Sequence, residues 1–398
     1  MGKQVTSYVG QKVRALKFLH GAKGAACLEG DECAVPLLVA GGYGSVVRYL
    51  IADNSISLLF PQMPTVDHMD LADEFESVSS LSYPSSLAYH ALPHLDGREE
   101  ANTEIGELSS VAHAGDVTSL GFLSVANNDF VVSGSSNGSL YVSSIVKSDS
   151  SLALKSVAIP QWEHLSMGSL AGIDADSHSA SIVAACESGQ VAWTNLDRPQ
   201  DVRVLDVDHW AIHDVKMLGV DTHIALACAN PRRPLQLWDL TASQDRPVAS
   251  TGPAGAAFTS LAAHPTRPEL LLAGLSDGSL TLWDRRMLGN SALRTERRHR
   301  KAVRSVTWHD TKPGFVFTAS DDSTVLSWDF YAGATSSTSD KVDYERHSSD
   351  GGVTVTTVAS GILPWNALDV DGVSDTLVAG SDNHSIVLVD GVTDAATS

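Results

Sequence analysis

Residues 299–330, HRKAVRSVTWHDTKPGFVFTASDDSTVLSWDF, decide the fold. They begin with an apolar-x-Ser-Val segment, Val303-Arg304-Ser305-Val306. An apolar run follows that ends in small residues and a turn, FVFTASDDS. An alternating segment closes the stretch at Trp328-Asp329. Short runs of period-2 alternation bounded by turn residues read as strand, strand, tight turn, strand.

The same unit recurs outward from this stretch. Trp193, Trp238, Trp283 and Trp328 are spaced by 45 residues, and the last three precede Asp239, Asp284 and Asp329. A second marker, apolar-x-[Ser/Ala/Asp]-[Leu/Val], starts at Val13, Val117, Met167, Ile212, Phe258, Val303 and Trp365. From its last residue to the Trp is 23, 23, 22 and 22 residues in the four Trp-bearing units. A repeat near 45 residues built from short strands marks a propeller blade, because one blade cannot cover both faces of its own sheet. The expectation is an all-β, seven-bladed propeller of four-stranded blades over 1–398. A strand from Val5 to Gly10 would close the ring beside Ile386-Val387-Leu388-Val389.

Here the chain resembles the WD-repeat family. The resemblance implies a brace made by a His before the first strand, a turn Asp and the strand Trp. His299, Asp322 and Trp328 fill those places in the sixth unit. Asp277 and Trp283 fill two of them in the fifth, Glu187 and Trp193 in the third, and Trp238 stands alone in the fourth. These polar groups read as structural, since a buried indole N–H needs an acceptor.

Three segments fall outside the period. Residues 63–108 carry ten Asp and Glu against one Arg, residues 331–360 are Ser-rich, and 392–398 form a short tail. The first two read as loop insertions, either solvated spacers or partner-binding loops.

Composition narrows the function. The 27 Lys and Arg against 47 Asp and Glu leave a formal charge of −20, which disfavours nucleic acid and anionic membrane surfaces. With 43% hydrophobic residues the chain has material for a core, and no apolar run is long enough for a membrane helix. The four cysteines form no C-x-x-C pair and read as buried thiols. Fifteen histidines give no H-E-x-x-H, and there is no P-loop. Gly134-Ser135-Ser136-Asn137-Gly138 matches a nucleophile elbow, but it lies between two strands where that motif needs a following helix. No enzyme, cofactor or metal is expected.

One basic cluster stands against the acidic whole: Arg285, Arg286, Arg294, Arg297, Arg298, Arg300, Lys301 and Arg304, opposed by Glu296. It reads as a solvated face, a docking patch for an acidic helix or loop, or a nuclear-import signal. Arg285, Arg286, Arg297, Arg298, Arg300 and Lys301 are the candidate partner-binding residues.

Within the WD-repeat family, SYVGQKVRALKFL, VAHAGDVTSLGFL, AIHDVKML and WNALDV…LVAGSDNHSIVLVD look like the WD-repeat nucleoporins of the Y-shaped outer-ring complex. That resemblance implies a scaffold subunit at the nuclear envelope. It would bind other nucleoporins, chiefly the short-arm α-solenoid subunit, as a monomeric propeller within a hetero-oligomer. It also implies support of protein and mRNA transport, and presence at kinetochores in mitosis. The alternative is a substrate receptor of a cullin–RING ubiquitin ligase, since Trp283-Asp284-Arg285-Arg286 fits a Trp-Asp-x-Arg repeat end.

Overall fold

The computed structural model describes residues 4–8, 13–18, 37–42, 85–91, 106–126, 128–148, 151–157, 162, 167–219, 222–242, 246–289, 291–330 and 353–393. They form seven four-stranded antiparallel sheets. In each, the first strand lies innermost. The inner strands are Val13–Phe18, Val117–Val125, Leu170–Asp176, Ile212–Met217, Phe258–Ala263, Val303–Trp308 and Trp365–Asp371, numbered here as blades 1 to 7. Each inner strand touches the next, and that of blade 7 touches that of blade 1, so the sheets close into a ring. Gln4–Tyr8 supplies the outer strand of blade 7, pairing Gln4 with Val389 through Tyr8 with Ser385. The turns from second to third strand and the connections between blades share one face, termed upper. The other two turns of each blade lie on the lower face.

The small residues that end each apolar run have a geometric cause. Gly41, Gly134, Ala185, Ala227, Gly274, Ala319 and Gly380 occupy one equivalent position at the end of the second strand. There the first apolar residue of the following blade presses in. A Cβ on Gly274 would stand 2.7 Å from Val303 Cγ1, and one on Gly380 2.5 Å from Val13 Cγ1. Backbone approach this close admits only a very small side chain. The core is accordingly a set of interlayers between blades. Val13, Leu16 and Phe18 pack with Val378, Ile386 and Leu388, for example, and Leu272 and Leu282 pack with Trp308 and Trp328.

Carboxylates fasten neighbouring inner strands. Phe18 N donates to Asp369 Oδ2 at 2.7 Å, Met217 N to Asp174 Oδ2 at 2.7 Å, and Leu261 N to Asp214 Oδ2 at 2.8 Å. Each caps an amide on the inner strand of the next blade, where the sheet provides no further ladder partner. On the lower face, buried His309 meets Asp375 of blade 7 at 2.9 Å.

Several expectations are corrected. Ser85–Ala91 and Gly106–His113 are the third and outer strands of blade 1, so 63–108 is not one loop. Acidic and Ser-rich composition hid two strands whose backbone pairing does not depend on side-chain polarity. Thr354–Ser360, rich in β-branched residues, is likewise the outer strand of blade 6 and not part of a 331–360 loop. Residues 43–84, 92–105 and 331–352 lie outside the described residues. Within 392–398, Val392 and Thr393 are buried, and Thr393 Oγ1 donates to Asp375 Oδ2 at 2.6 Å, so the tail begins inside the fold.

Blade 3 also shifts. Its inner-strand bulge falls between Leu170 and Gly172, matching Val303 and Ser305 of blade 6, so the marker starts at Leu170 and not Met167. Its third strand is offset too. Ile224, Leu271 and Val316 pair with Trp238, Trp283 and Trp328, whereas the equivalent Ile182 pairs with Thr194. A one-residue offset turns a side chain to the other face of the sheet. Trp193 therefore points out, with the Arg203 guanidinium 5.4 Å from its ring centroid. The interlayer between blades 2 and 3 takes its indole from the inter-blade connection instead: Trp162 is 1% exposed and donates to Pro199 O at 2.7 Å.

Chemical denaturation will separate these two indoles. Trp162→Ala is expected to cost about 3–5 kcal/mol as a buried aromatic truncation. Trp193→Ala should cost about 1 kcal/mol or less, the scale of an exposed cation–π contact.

Candidate functional site

In blade 6 the fold assembles a buried polar chain. Trp328 Nε1 donates to Thr318 Oγ1 at 2.8 Å, and Thr318 Oγ1 lies 2.7 Å from His299 Nε2. His299 Nδ1 stands 3.0 Å from Asp322 Oδ2. Asp322 also accepts from the Thr324 hydroxyl at 2.6 Å, the Thr324 amide at 3.0 Å and the Arg300 amide at 2.8 Å. Burial lowers the His299 pKa, against the pull of Asp322, so the ring is neutral. A neutral ring donates from Nδ1 and accepts at Nε2, which orders every proton from the indole to the carboxylate. Burial tends to raise Asp322, but the bonds from Thr324, Arg300 and His299 outweigh it and hold the carboxyl below its ordinary value.

Thr318 is the link that sequence reasoning missed. Its signal was a hydroxyl within the apolar run FVFTAS, on the strand paired with that of Trp328.

Blades 4 and 5 satisfy their indoles locally. Trp238 Nε1 donates to Gln236 Oε1 at 3.0 Å, and Trp283 Nε1 to Thr281 Oγ1 at 3.0 Å. Both acceptors lie two residues back on the same strand. Asp277 does not join Trp283; its Oδ1 accepts from the Ser279 amide at 2.9 Å and shapes the turn. Glu187 stands one position short of the carboxylate slot, which Ser188 fills, because blade 3 pairs Leu170 with Cys186. Glu187 is exposed and braces nothing in that blade.

The central channel is polar. Arg14, Thr118, His213, Thr259, Arg304 and Asn366, each the second residue of an inner-strand bulge, ring its upper mouth. Arg304 is held by Asp321 through bonds of 2.8 and 2.7 Å, and Asn366 by Asp382 at 2.8 Å. Deeper, Lys17 lies 3.5 Å from Asp369 and Lys216 3.8 Å from Asp214. Desolvation in the channel pushes the Asp214 carboxyl up, against the opposing pull of Lys216. Among the described residues, no group of three or more His, Cys, Asp or Glu is arranged to hold a metal. Ser136, the centre of the elbow-like motif, accepts from the Asp116 amide at 2.9 Å in a strand-to-strand turn.

The basic cluster does not form one patch. Asp284 pairs opposite Leu270 at the lower end of blade 5, and Arg297 opposite Ser279 at the upper end. Arg285 and Arg286 therefore lie on the lower face, while Arg297, Arg298, Arg300 and Lys301 lie on the upper. A six-residue strand separates the groups by about 20 Å. Arg286 is clamped by Asp284 at 2.9 and 3.1 Å, and Arg285 Nη1 donates to Leu218 O at 3.4 Å. The hydrogen bond from Arg286 holds the Asp284 carboxyl below its ordinary value, against burial. The upper group is exposed, and Arg298 meets Glu296 at 3.8 Å.

Thr318→Val is expected to cost about 1–3 kcal/mol in denaturant unfolding, since it leaves the Trp328 N–H and His299 Nε2 buried without partners. Acid should weaken the fold before its carboxylates titrate. Burial drives His264 down to about 4, and its ring packs 4.5 Å from that of Trp308. The unfolded chain then binds more protons than the folded one between about pH 6.5 and 4, so stability falls as pH drops through that window. His264→Asn keeps an acceptor for the Thr266 and Arg267 amides and should flatten the slope of the denaturation midpoint against pH.

Comparison with known proteins agrees with this geometry. The family model described as WD domain, G-beta repeat matches residues 290–329, which run from the outer part of blade 5 through the third strand of blade 6. Nucleoporin Nup43 of Homo sapiens is 24% identical over 242 residues, covering 59% of this chain and 61% of that protein. Nucleoporin Nup43 of Mus musculus is 24% identical over 244 residues with the same coverage. The chain thus spans about three fifths of the length of the curated relatives it matches. It is a β-propeller that carries a WD repeat and resembles the nucleoporin Nup43 in sequence.

Proposed function

We propose that this chain is a non-catalytic scaffold subunit of the nuclear pore complex, seated in the Y-shaped outer-ring subcomplex. The observation that carries the reading is the similarity to nucleoporin Nup43 across 59% of the chain. In this reading the propeller is a monomer within a hetero-oligomer. It docks on the short-arm α-solenoid nucleoporin and supports pore assembly and the transport of protein and mRNA. The fold suits the task, because ring closure leaves only outer edges open and presents rigid upper and lower faces to partners.

The structure's polar groups are largely spent on the fold itself. Asp369, Asp174 and Asp214 cap neighbouring strands, and His299, Asp322 and Thr318 serve Trp328. In the lower-face repeat end Trp283-Asp284-Arg285-Arg286, the guanidinium of Arg286 is already engaged by Asp284. This favours the nucleoporin reading over a ligase receptor that would offer that arginine to an adaptor.

Gentle affinity purification of the tagged full chain is the deciding experiment. Outer-ring nucleoporins should co-purify in near-equal amounts, with the tag marking a smooth nuclear rim in interphase and kinetochores in mitosis. Recovery of a cullin–RING adaptor without nucleoporins would overturn the assignment.

A further inference from the structure

An unbroken arc of upper-face segments crosses blades 4 to 6. It starts at Trp210, 48% exposed, in the connection entering blade 4. That connection is tied to the blade 4 turn by Ala229 N donating to Ala211 O at 2.8 Å. The turn is tied in turn to the next connection by Ala254 N donating to Pro231 O at 3.1 Å. Ser276 N donates to Ala257 O at 2.9 Å, bringing in the turn of blade 5. Gly278 of that turn, at φ +89°, lies so close to the following connection that a Cβ would stand 2.3 Å from His299 O. Asp321 N donates to Ala302 O at 3.0 Å, and Gly361 N to Ser323 O at 2.8 Å. The arc ends at Ile362, which is 92% exposed.

Between those two exposed apolar ends the arc is cationic. The blade 4 turn presents Arg232 and Arg233, and the connection into blade 6 presents Arg298, Arg300 and Lys301, all exposed. Apart from the 3.8 Å contact of Arg298 with Glu296, their side chains make no ion pair among the described residues. Of the carboxylates in the same arc, Asp321 is paired with Arg304, while Asp322, Asp208 and Asp277 keep their charge and accept from His299 and Thr324, from Asn230 and from the Ser279 amide. The five exposed cations outnumber these three aspartates, on a chain of net charge −20.

We propose that this upper-face arc, from Trp210 through Arg232, Arg298 and Lys301 to Ile362, docks an acidic polypeptide segment with apolar side chains at both ends. Guanidinium groups suit carboxylates through paired, charge-assisted hydrogen bonds. The apolar ends would cover the half-exposed Trp210 indole and the exposed Ile362 side chain. A polyphosphate backbone is the poorer fit, since the acidic remainder of the molecule repels it. The inference stands apart from the nucleoporin reading, because it names the chemistry of an occupant and not an assembly.

Fluorescence anisotropy of the purified full chain tests it. The probe is a fluorescein-labelled Glu-rich peptide of about twelve residues with Leu-Leu at each end, long enough to reach about 40 Å. Saturable binding that weakens as salt is raised is expected. R298E/R300E/K301E should weaken it at least about tenfold, equivalent to about 1.4 kcal/mol. Trp210→Ala should weaken it measurably, while Arg198→Glu on the outer edge of blade 3 should leave it unchanged. Unaltered thermal midpoints will show that the variants fold. Absence of saturable binding, or equal binding by the triple variant, would overturn the proposal. Tighter binding of a single-stranded RNA oligonucleotide of similar length would do the same, by marking a nucleic-acid surface. Equal affinity for the Glu peptide without leucines would remove the apolar ends from the site.

Discussion

Everything in this molecule depends on how closely one blade can approach the next. The first apolar residue of each inner strand presses against a Gly or Ala at the end of the preceding blade's second strand, as Val303 does on Gly274. That contact fixes the spacing of adjacent sheets, and with it the volume of the interlayer behind. Leu, Val and indole side chains fill that volume, each contributing about 1.5–3 kcal/mol when buried. A larger residue at the contact would wedge the blades apart and open the interlayer along its length. Ring closure makes the requirement collective, because the same spacing must be met at the junction of blade 7 with blade 1, where Val13 lies on Gly380.

The interlayers solve the same packing problem with different side chains. Four receive their indole from Trp162, Trp238, Trp283 and Trp328, and the layer between blades 6 and 7 uses Trp365. What each indole needs besides volume is one acceptor for its N–H. Gln236, Thr281, Thr318 and the carbonyls of Pro199 and Ser323 provide it. Among the described residues, the Trp328 acceptor alone is extended through His299 to a turn carboxylate, Asp322, which ties the interlayer to the upper face. The charged groups of the inner strands do comparable work nearer the axis, where Asp369, Asp174 and Asp214 receive amides from the following blade. An acidic composition therefore serves the architecture before it serves any partner.

The spread of charge over the two faces follows from strand direction. Arg286 and Arg298 are twelve residues apart in sequence yet sit at opposite ends of one antiparallel pair. The lower-face arginines are absorbed by Asp284 and Leu218, whereas the upper-face cations are left to solvent. A cluster seen in sequence thus becomes two surfaces of different availability.

The repeat itself was legible without coordinates, because the alternation, the small residues and the turn signals are local consequences of strand geometry. Strand pairing with the N-terminus was expected from how propeller rings close, since a closed ring protects its edges, and the strand forms at Gln4–Tyr8. Register was not. The 45-residue step from Trp193 to Trp238 looked like equivalence, but an inner-strand start displaced by three residues and a one-residue offset in the third strand placed Thr194, not Trp193, in the interlayer. The strand Ser85–Ala91 was hidden because its pairing partner, and not its own composition, makes it a strand, and Thr354–Ser360 because it directly follows a Ser-rich segment. So the sequence by itself determined the blade and its period, and of the blade 6 brace it showed His299, Asp322 and Trp328 but not Thr318. The tertiary structure alone decided which face each side chain meets, since that depends on hydrogen-bond register between segments whose spacing in the chain varies.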